Sequence, residues 1–238
     1  MKFGLPLVRG RLVKRHKRFL ADVVLDGSGA AVTATCPNTG SMRGLAEPGL
    51  IVWLSESDSP TRKYRYTWEM VETGAGKAAV LAGINTGHPN RIVTEAIEGG
   101  RIAALAGYAS LRREVRYGHN SRIDILLEEP GRGLAYVEVK NVHLSREAGL
   151  AEFPDSVTLR GAKHLAELAL MVRQGHRAVM LFLIQRGDAR RFSLAADIDA
   201  NYARAFKAAR EAGVEAFAYR CRLSPEEIRL DKEVPILT

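Results

Sequence analysis

Cysteine is nearly absent from this chain, and long apolar runs are missing. Cys36 and Cys221 are the two cysteines in 238 residues. They lie far apart, with no Cys or His at metal-ligand spacing, so buried thiols in a reducing compartment are expected rather than a zinc module. The longest apolar run, Ala178 to Ile184 ("AVMLFLI"), is far too short to span a bilayer. The opening "MKFGLPLVRGR" has no adequate apolar h-region and no small-residue cleavage site, so no secretory signal is expected. These absences predict a cytoplasmic protein without a membrane partner. Helix-turn-helix and zinc-finger patterns are missing too, which leaves no obvious element for reading the major groove.

Positive charge is what the chain has in excess. The net charge is +8, with 46% hydrophobic and 26% charged residues, ordinary fractions for a soluble globular protein. Residues 1–82 hold twelve Lys and Arg against seven Asp and Glu, whereas residues 83–238 hold twenty-three against twenty. Within the first part, "RGRLVKRHKR" packs Arg9, Arg11, Lys14, Arg15, Lys17 and Arg18 into ten residues without an acid. A clustered basic patch is the footprint of phosphate binding and points to nucleic acid. A solvated basic strand is the bland alternative.

Residues 1–82 read as five or six short strands between Gly, Pro, Asn and Ser signals, which suggests an OB-type β-barrel that binds nucleic acid. Tyr64, Tyr66 and Trp68 alternate on one expected strand, as barrel-core residues do, and with Trp53 they also offer stacking surfaces. From "HPNRIVTEAI" the period changes. Ile92, Ala96 and Ile97 share a helix face entered at Pro89-Asn90 and closed by Gly99-Gly100. Strands and helices then alternate through residues 83–238 and end at "VEAFAYRCRL", expected as the final strand. That order predicts an α/β (α+β) domain with a mixed central sheet. "SLRREVRYG" reads as either a helix end or a strand.

"SRIDILLEE" and "LAYVEVKNVHL" form a hairpin if the turn centres near Gly131. Ile123, Ile125 and Leu127 then share a face with Ala135, Val137 and Val139, and Asp124 falls about opposite Glu138. Like charges placed so destabilise a sheet pair and call for a cation. Lys140 supplies one in part. A divalent metal, Mg or Mn, held by Asp124 and Glu138 does it better. Asp124 with Glu138-Val139-Lys140 matches the PD-(D/E)xK nuclease pattern, in which two carboxylates hold a metal and the lysine orients a water and offsets charge on phosphorus. Alone the spacing is weakly specific, and a surface ion pair on an ordinary strand explains it equally.

Longer stretches are more specific. "PNTGSM", "HPNRIVTEAI", "YGHNSRIDILL", "VEVKNVHL", "FPDSVTLRGAKHLAEL" and "FLIQRGD" occur in this order, and over nearly the whole chain they closely resemble the sugar fermentation stimulation protein A family. The resemblance implies an N-terminal OB-type barrel joined to a PD-(D/E)xK nuclease-like domain, and a DNA-binding protein linked to regulation of sugar (maltose) metabolism. It also implies that Asp124, Glu138 and Lys140 are the nuclease-type residues, with Glu114 as an additional acid from an earlier element. Glu114 reads as well as a surface residue among arginines. Ser121 and Arg122 are either phosphate contacts or a strand entry.

On the following helix, Arg160, Lys163 and His164 are expected to face the cleft, with His164 not a metal ligand. Lys163 and Glu167 also suit a solvated ion pair four residues apart. Gln185 is expected to project into the site. Cys36, Asn38, Thr39 and Gly40 match a family loop for which the residues suggest no chemistry.

Two functions fit: a metal-dependent nuclease, and a non-catalytic DNA-binding regulator of sugar metabolism genes. A sugar sensor has no supporting pocket motif.

Overall fold

Alternating apolar residues close the first part of the chain into a barrel. The computed structural model describes every residue except 75, 77–78, 119–120 and 238. Five strands, β1 (Val8–His16), β2 (Leu20–Leu25), β3 (Ala31–Thr35), β4 (Ile51–Glu56) and β5 (Tyr66–Thr73), run in the spatial order β3-β2-β1-β4-β5. A parallel pairing of β3 with β5 closes the circle, the topology of an OB-type barrel. β6 (Val80–Gly83) adds outside the closure, antiparallel to β5.

Leu12, Val23, Val52, Leu54, Trp68 and Val71 fill the interior. Trp68 is fully buried, and its indole donates to the Met70 carbonyl at 2.9 Å, so its one polar atom is satisfied. β5 begins only at Tyr66, so Tyr64 precedes the strand it was expected to share. Tyr66 packs half-buried against the core, and Trp53 donates to Glu72 at 2.9 Å.

The second domain is built on a six-stranded mixed sheet, ordered β15-β14-β12-β9-β8-β7. Its strands are β7 (Ser110–Tyr117), β8 (Ser121–Glu129), β9 (Gly133–Val142), β12 (Arg177–Ile184), β14 (Glu215–Leu223) and β15 (Ile228–Glu233). β7, β8 and β9 are an antiparallel meander, whereas β9, β12 and β14 run parallel. "SLRREVRYG" is thus a strand. α1 (Pro89–Glu98) lays Ile92, Val93, Ala96 and Ile97 on one face, against Ile125, Leu127, Val137 and Leu181. α2 (Leu159–Arg173) and α3 (Ala200–Glu211) cover the other, where Leu165 and Phe206 meet Leu126, Met180 and Phe182.

A small second sheet was not foreseen. It comprises β10 (Leu144–Glu147), β11 (Leu150–Phe153), β13 (Arg191–Leu194) and β16 (Ile236–Leu237). Strands of two to four residues carry too few alternations to show a period. Nor is "VEAFAYRCRL" the last strand, since β15 and β16 follow it. Residues 1–7 leave the barrel: Lys2 pairs with Glu227, and Leu7 packs in the cluster around Ile92. Among the described residues no helix is long and apolar enough to cross a membrane.

Candidate active site

Sheet register assembles the site. Arg113 faces Ile125 and Val115 faces Ile123, so Glu114 of β7 lies opposite Asp124 of β8. The β8–β9 register pairs Ile125 with Val137, and one further step sets Asp124 opposite Glu138. Three carboxylates therefore form one row across three adjacent strands. Glu114 enters it with a left-handed φ of 53°, a conformation that costs a non-glycine residue energy.

Asn90, in the first turn of α1, ties the row together. Its side-chain amide donates to Glu114 Oε1 and to Asp124 Oδ1, both at 2.9 Å. The other Asp124 oxygen accepts the Val139 N–H at 2.7 Å. Burial, then the negative charge of Glu138, push the Asp124 carboxyl from 3.8 up to about 6.

Glu138 is better compensated. Burial alone would raise its carboxyl, but the hydrogen bonds and charges of His164 and Lys140 outweigh burial and hold it below the usual value. Lys140 Nζ donates to Glu138 Oε1 at 2.6 Å, and His164 Nδ1 makes a very short contact with the same oxygen. Arg160 Nε lies 3.3 Å from His164 Nε2. With Nε2 accepting from Arg160, the imidazole proton sits on Nδ1, facing Glu138.

Glu138 Oε2 is buried without a hydrogen-bond partner, as are both oxygens of Glu167 and the Tyr117 hydroxyl. Lys163 Nζ lies 3.7 Å from Glu167 Oε1, but Glu167 is buried, so the pair is not the solvated one the spacing suggested. Burial, followed by the charges of Glu138, Glu167 and Asp124, pushes the Tyr117 phenol far up. The site thus carries uncompensated negative charge and an orphaned carboxylate oxygen.

These residues fit a hard divalent ion. Mg²⁺ characteristically takes one or two carboxylates and completes its shell with water and phosphate oxygens. Asp124 and Glu138 are the two such side chains the register sets opposite each other. Among the described residues no three His, Cys, Asp or Glu side chains converge to ligate an ion without further ligands.

The other expected residues are more dispersed. Lys17 and Arg18 form the exposed β1–β2 turn, and Arg11 is exposed on β1. Arg9 pairs with Asp26 and Glu72, and Lys14 with Asp22. Arg15 spends its guanidinium on the carbonyls of Arg18, Asn38 and Gly40. Arg122 sits across from Arg116 at the start of β8, with Ser121 buried beside it.

Gln185 is not in the row but locked in the junction between the domains. It donates to Asn141 Oδ1 at 2.8 Å and to the Asn85 carbonyl at 3.3 Å, and a Cβ on Gly83 would stand 2.5 Å from its Oε1. The loop at Asn38–Gly40 is junction hardware as well. Asn38 donates to the Ile84 carbonyl, and a Cβ on Gly40 would meet Asp155 Oδ2 at 2.8 Å. Cys36 and Cys221 are buried free thiols. His119 and Asn120 of "YGHNSRIDILL" lie outside the described residues. Asn90 and Tyr117 escaped the sequence reading: both stand inside quoted motifs, but an amide has no acid–base chemistry to single it out, and a lone tyrosine carries no spacing signal.

Comparison with known proteins places these observations. The family model described as "Sugar fermentation stimulation protein RE domain" matches residues 87–227, and the one described as "SfsA N-terminal OB domain" matches residues 13–82. The chain is 60% identical over 228 residues to the sugar fermentation stimulation protein homolog of Rhizobium meliloti (strain 1021), covering 96% of this chain and 93% of that one. It is 57% identical over 234 residues to the homolog of Agrobacterium fabrum, covering 98% and 96%. Among solved structures it is similar to Pyrococcus furiosus SfsA in complex with Ca²⁺, with a TM-score of 0.88, 28% identity, and coverage of 100% and 98%.

Proposed function

The chain belongs to the sugar fermentation stimulation protein family, and from that premise we propose that it is a DNA-binding protein with a divalent-metal-dependent nuclease-type site. The observation that carries the reading is the row of Glu114, Asp124 and Glu138, with Lys140 on Glu138 and the Asp124 carboxyl lifted by a shortage of positive charge. Asp124 and Glu138 would hold Mg or Mn. The similar P. furiosus protein is described in complex with Ca²⁺, another hard cation, which supports a divalent ion here. When bound, such an ion polarises the scissile phosphate and lowers the pKa of a water.

The chain's own groups supply the rest. Asn90 keeps Glu114 and Asp124 aligned. Lys140, freed from Glu138 Oε1, orients the attacking water and offsets charge on phosphorus. His164, held by Arg160, fixes the direction of the Glu138 carboxylate. Lys17, Arg18, Arg11 and Arg122 offer phosphate contacts beyond the site. The two buried thiols suit a reducing cytoplasm.

One observation favours a second reading. Lys140 and His164 both engage one Glu138 oxygen, as in a scaffold that has given up cleavage and serves as a regulator of sugar metabolism genes.

Incubation with end-labelled single-stranded and duplex DNA and RNA, in EDTA, Mg²⁺ and Mn²⁺, separates the two. Metal-dependent cleavage, lost in Asp124→Ala and Lys140→Ala, is the expected result. Salt-sensitive binding without cleavage in any metal would give the regulator instead.

A further inference from the structure

Two apolar side chains stand in solvent beside the site. Val157 and Leu159 are 68% and 78% exposed, more than any other large hydrophobic residue described. An exposed aliphatic by itself means little. What matters here is where these two sit and how firmly they are held.

Their loop is pinned on both sides. Before it, Asp155 Oδ2 accepts from Ser41 Oγ at 3.1 Å and from the Met42 N–H at 3.3 Å, and lies 3.4 Å from His143 Nε2. After it, the Thr158 N–H donates to Asp199 Oδ2 at 2.8 Å, and Thr158 Oγ1 caps α2 by accepting the Gly161 N–H at 3.1 Å. A loop tied at both ends cannot fold its apolar side chains away.

Position joins the pair to the carboxylate row. Leu159 opens α2, next to Arg160 and one turn before Lys163. Arg160 reaches His164, and His164 reaches Glu138. The apolar pair thus borders the place where a phosphate would lie, between Asp155 on one side and Arg160, with Lys163 against Glu167, on the other. The chain's net charge of +8 favours a polyanion as the occupant. Intact duplex shows phosphates and sugars outward and keeps its base faces stacked. Aliphatic side chains find partners only where a base has left the stack, as with wedge residues that insert between base steps.

We propose that Val157 and Leu159 form an apolar wedge holding unpaired bases beside the carboxylate row, so that the preferred substrate is single-stranded or locally unpaired DNA. The inference rests on the DNA reading above and specifies its substrate.

The test measures binding of the full-length protein, in EDTA so that no strand is cut, to labelled single-stranded DNA, fully paired duplex, and duplex with a bulge containing 2-aminopurine. Wild type is expected to bind the bulged and single-stranded forms roughly tenfold tighter than paired duplex, with a rise in 2-aminopurine fluorescence as the base unstacks. The Val157→Ser/Leu159→Ser double variant brings that ratio close to one with an unchanged melting temperature, and Leu159→Met retains it. Equal wild-type affinity for all three DNAs, or a double variant that keeps the preference, overturns the wedge while leaving DNA binding intact. Absence of salt-sensitive binding to every DNA removes the DNA reading and the wedge with it. A dimer in sedimentation that the double variant dissociates, with the DNA ratio unchanged, assigns the patch to a second copy of the chain and also overturns the wedge.

Discussion

Asp124 lies across from Glu138 on adjacent antiparallel strands, and burial together with the Glu138 charge lifts its carboxyl from 3.8 to about 6. Between those two values the folded protein binds a proton that the unfolded chain has released. Stability of the metal-free protein therefore falls as pH rises through that window, by on the order of 2–3 kcal/mol. Asp124→Asn removes the repulsion but also one acceptor. In EDTA it should be more stable than wild type by about 1 kcal/mol at about pH 7, and should lose that advantage by about pH 4. Urea unfolding at several pH values measures this, and a difference independent of pH would remove the charge-shortage argument.

Asn90 is the one neutral donor that serves both Glu114 and Asp124 among the described contacts. Asn90→Ala leaves two carboxylates facing each other with less compensation, at a cost of about 1–2 kcal/mol. A divalent ion should restore much of that loss, because it supplies the missing positive charge. The check is the melting temperature of Asn90→Ala in EDTA and in Mg²⁺, compared with wild type. An equal increment from Mg²⁺ in both proteins would count against Asn90 as the organiser of the row.

Much of this arrangement was legible in the sequence. The barrel follows from strand alternation, and the facing of Asp124 and Glu138 follows from a hairpin turn near Gly131, because a two-residue side-chain period carries register across a short loop. The role of Asn90 was not legible. It depends on where α1 docks over a sheet that begins after a further stretch of chain, and amides have no spacing rule. The solvated pair that spacing offered for Lys163 and Glu167 does not form, because helix spacing sees Lys163 but not Gly118, which packs against the buried Glu167. Gln185 follows a run of buried β residues, and its neighbour Gly83 comes from the other domain.

Asp155 joins the domains through Ser41 and Met42, and His143 of its own domain stands against the same carboxylate. Burial would raise its carboxyl, but the His143 contact, the Met42 N–H and Ser41 outweigh burial and hold it far below the usual range. For a depressed carboxyl the contribution is fully present above the unfolded pKa, about 3.9, and fades as pH falls below it. Asp155→Ala should cost about 2–3 kcal/mol at neutral pH, and the gap to wild type should narrow in acid below about pH 4. Chemical denaturation across pH tests this, and a neutral-pH cost near zero would mean that the junction is held elsewhere.

Charge on the barrel should separate by what each residue already touches. Lys17 and Arg18 stand on an exposed turn whose left-handed backbone is braced by the Arg15 guanidinium on the Arg18 carbonyl. Arg9 is engaged with Asp26 and Glu72. A phosphate contact contributes close to one unit of slope to log K against log salt, whereas a cation neutralised by its own carboxylates releases few counterions. Lys17→Ala/Arg18→Ala should therefore flatten the salt dependence of DNA binding by roughly two units. Arg9→Ala should leave that slope near the wild-type value and cost no more than about 1 kcal/mol of stability, since Asp26 is exposed and Glu72 keeps the Trp53 indole. Fluorescence anisotropy over a salt series gives both slopes, and the opposite ranking would move the phosphate path from the turn to the face of β1.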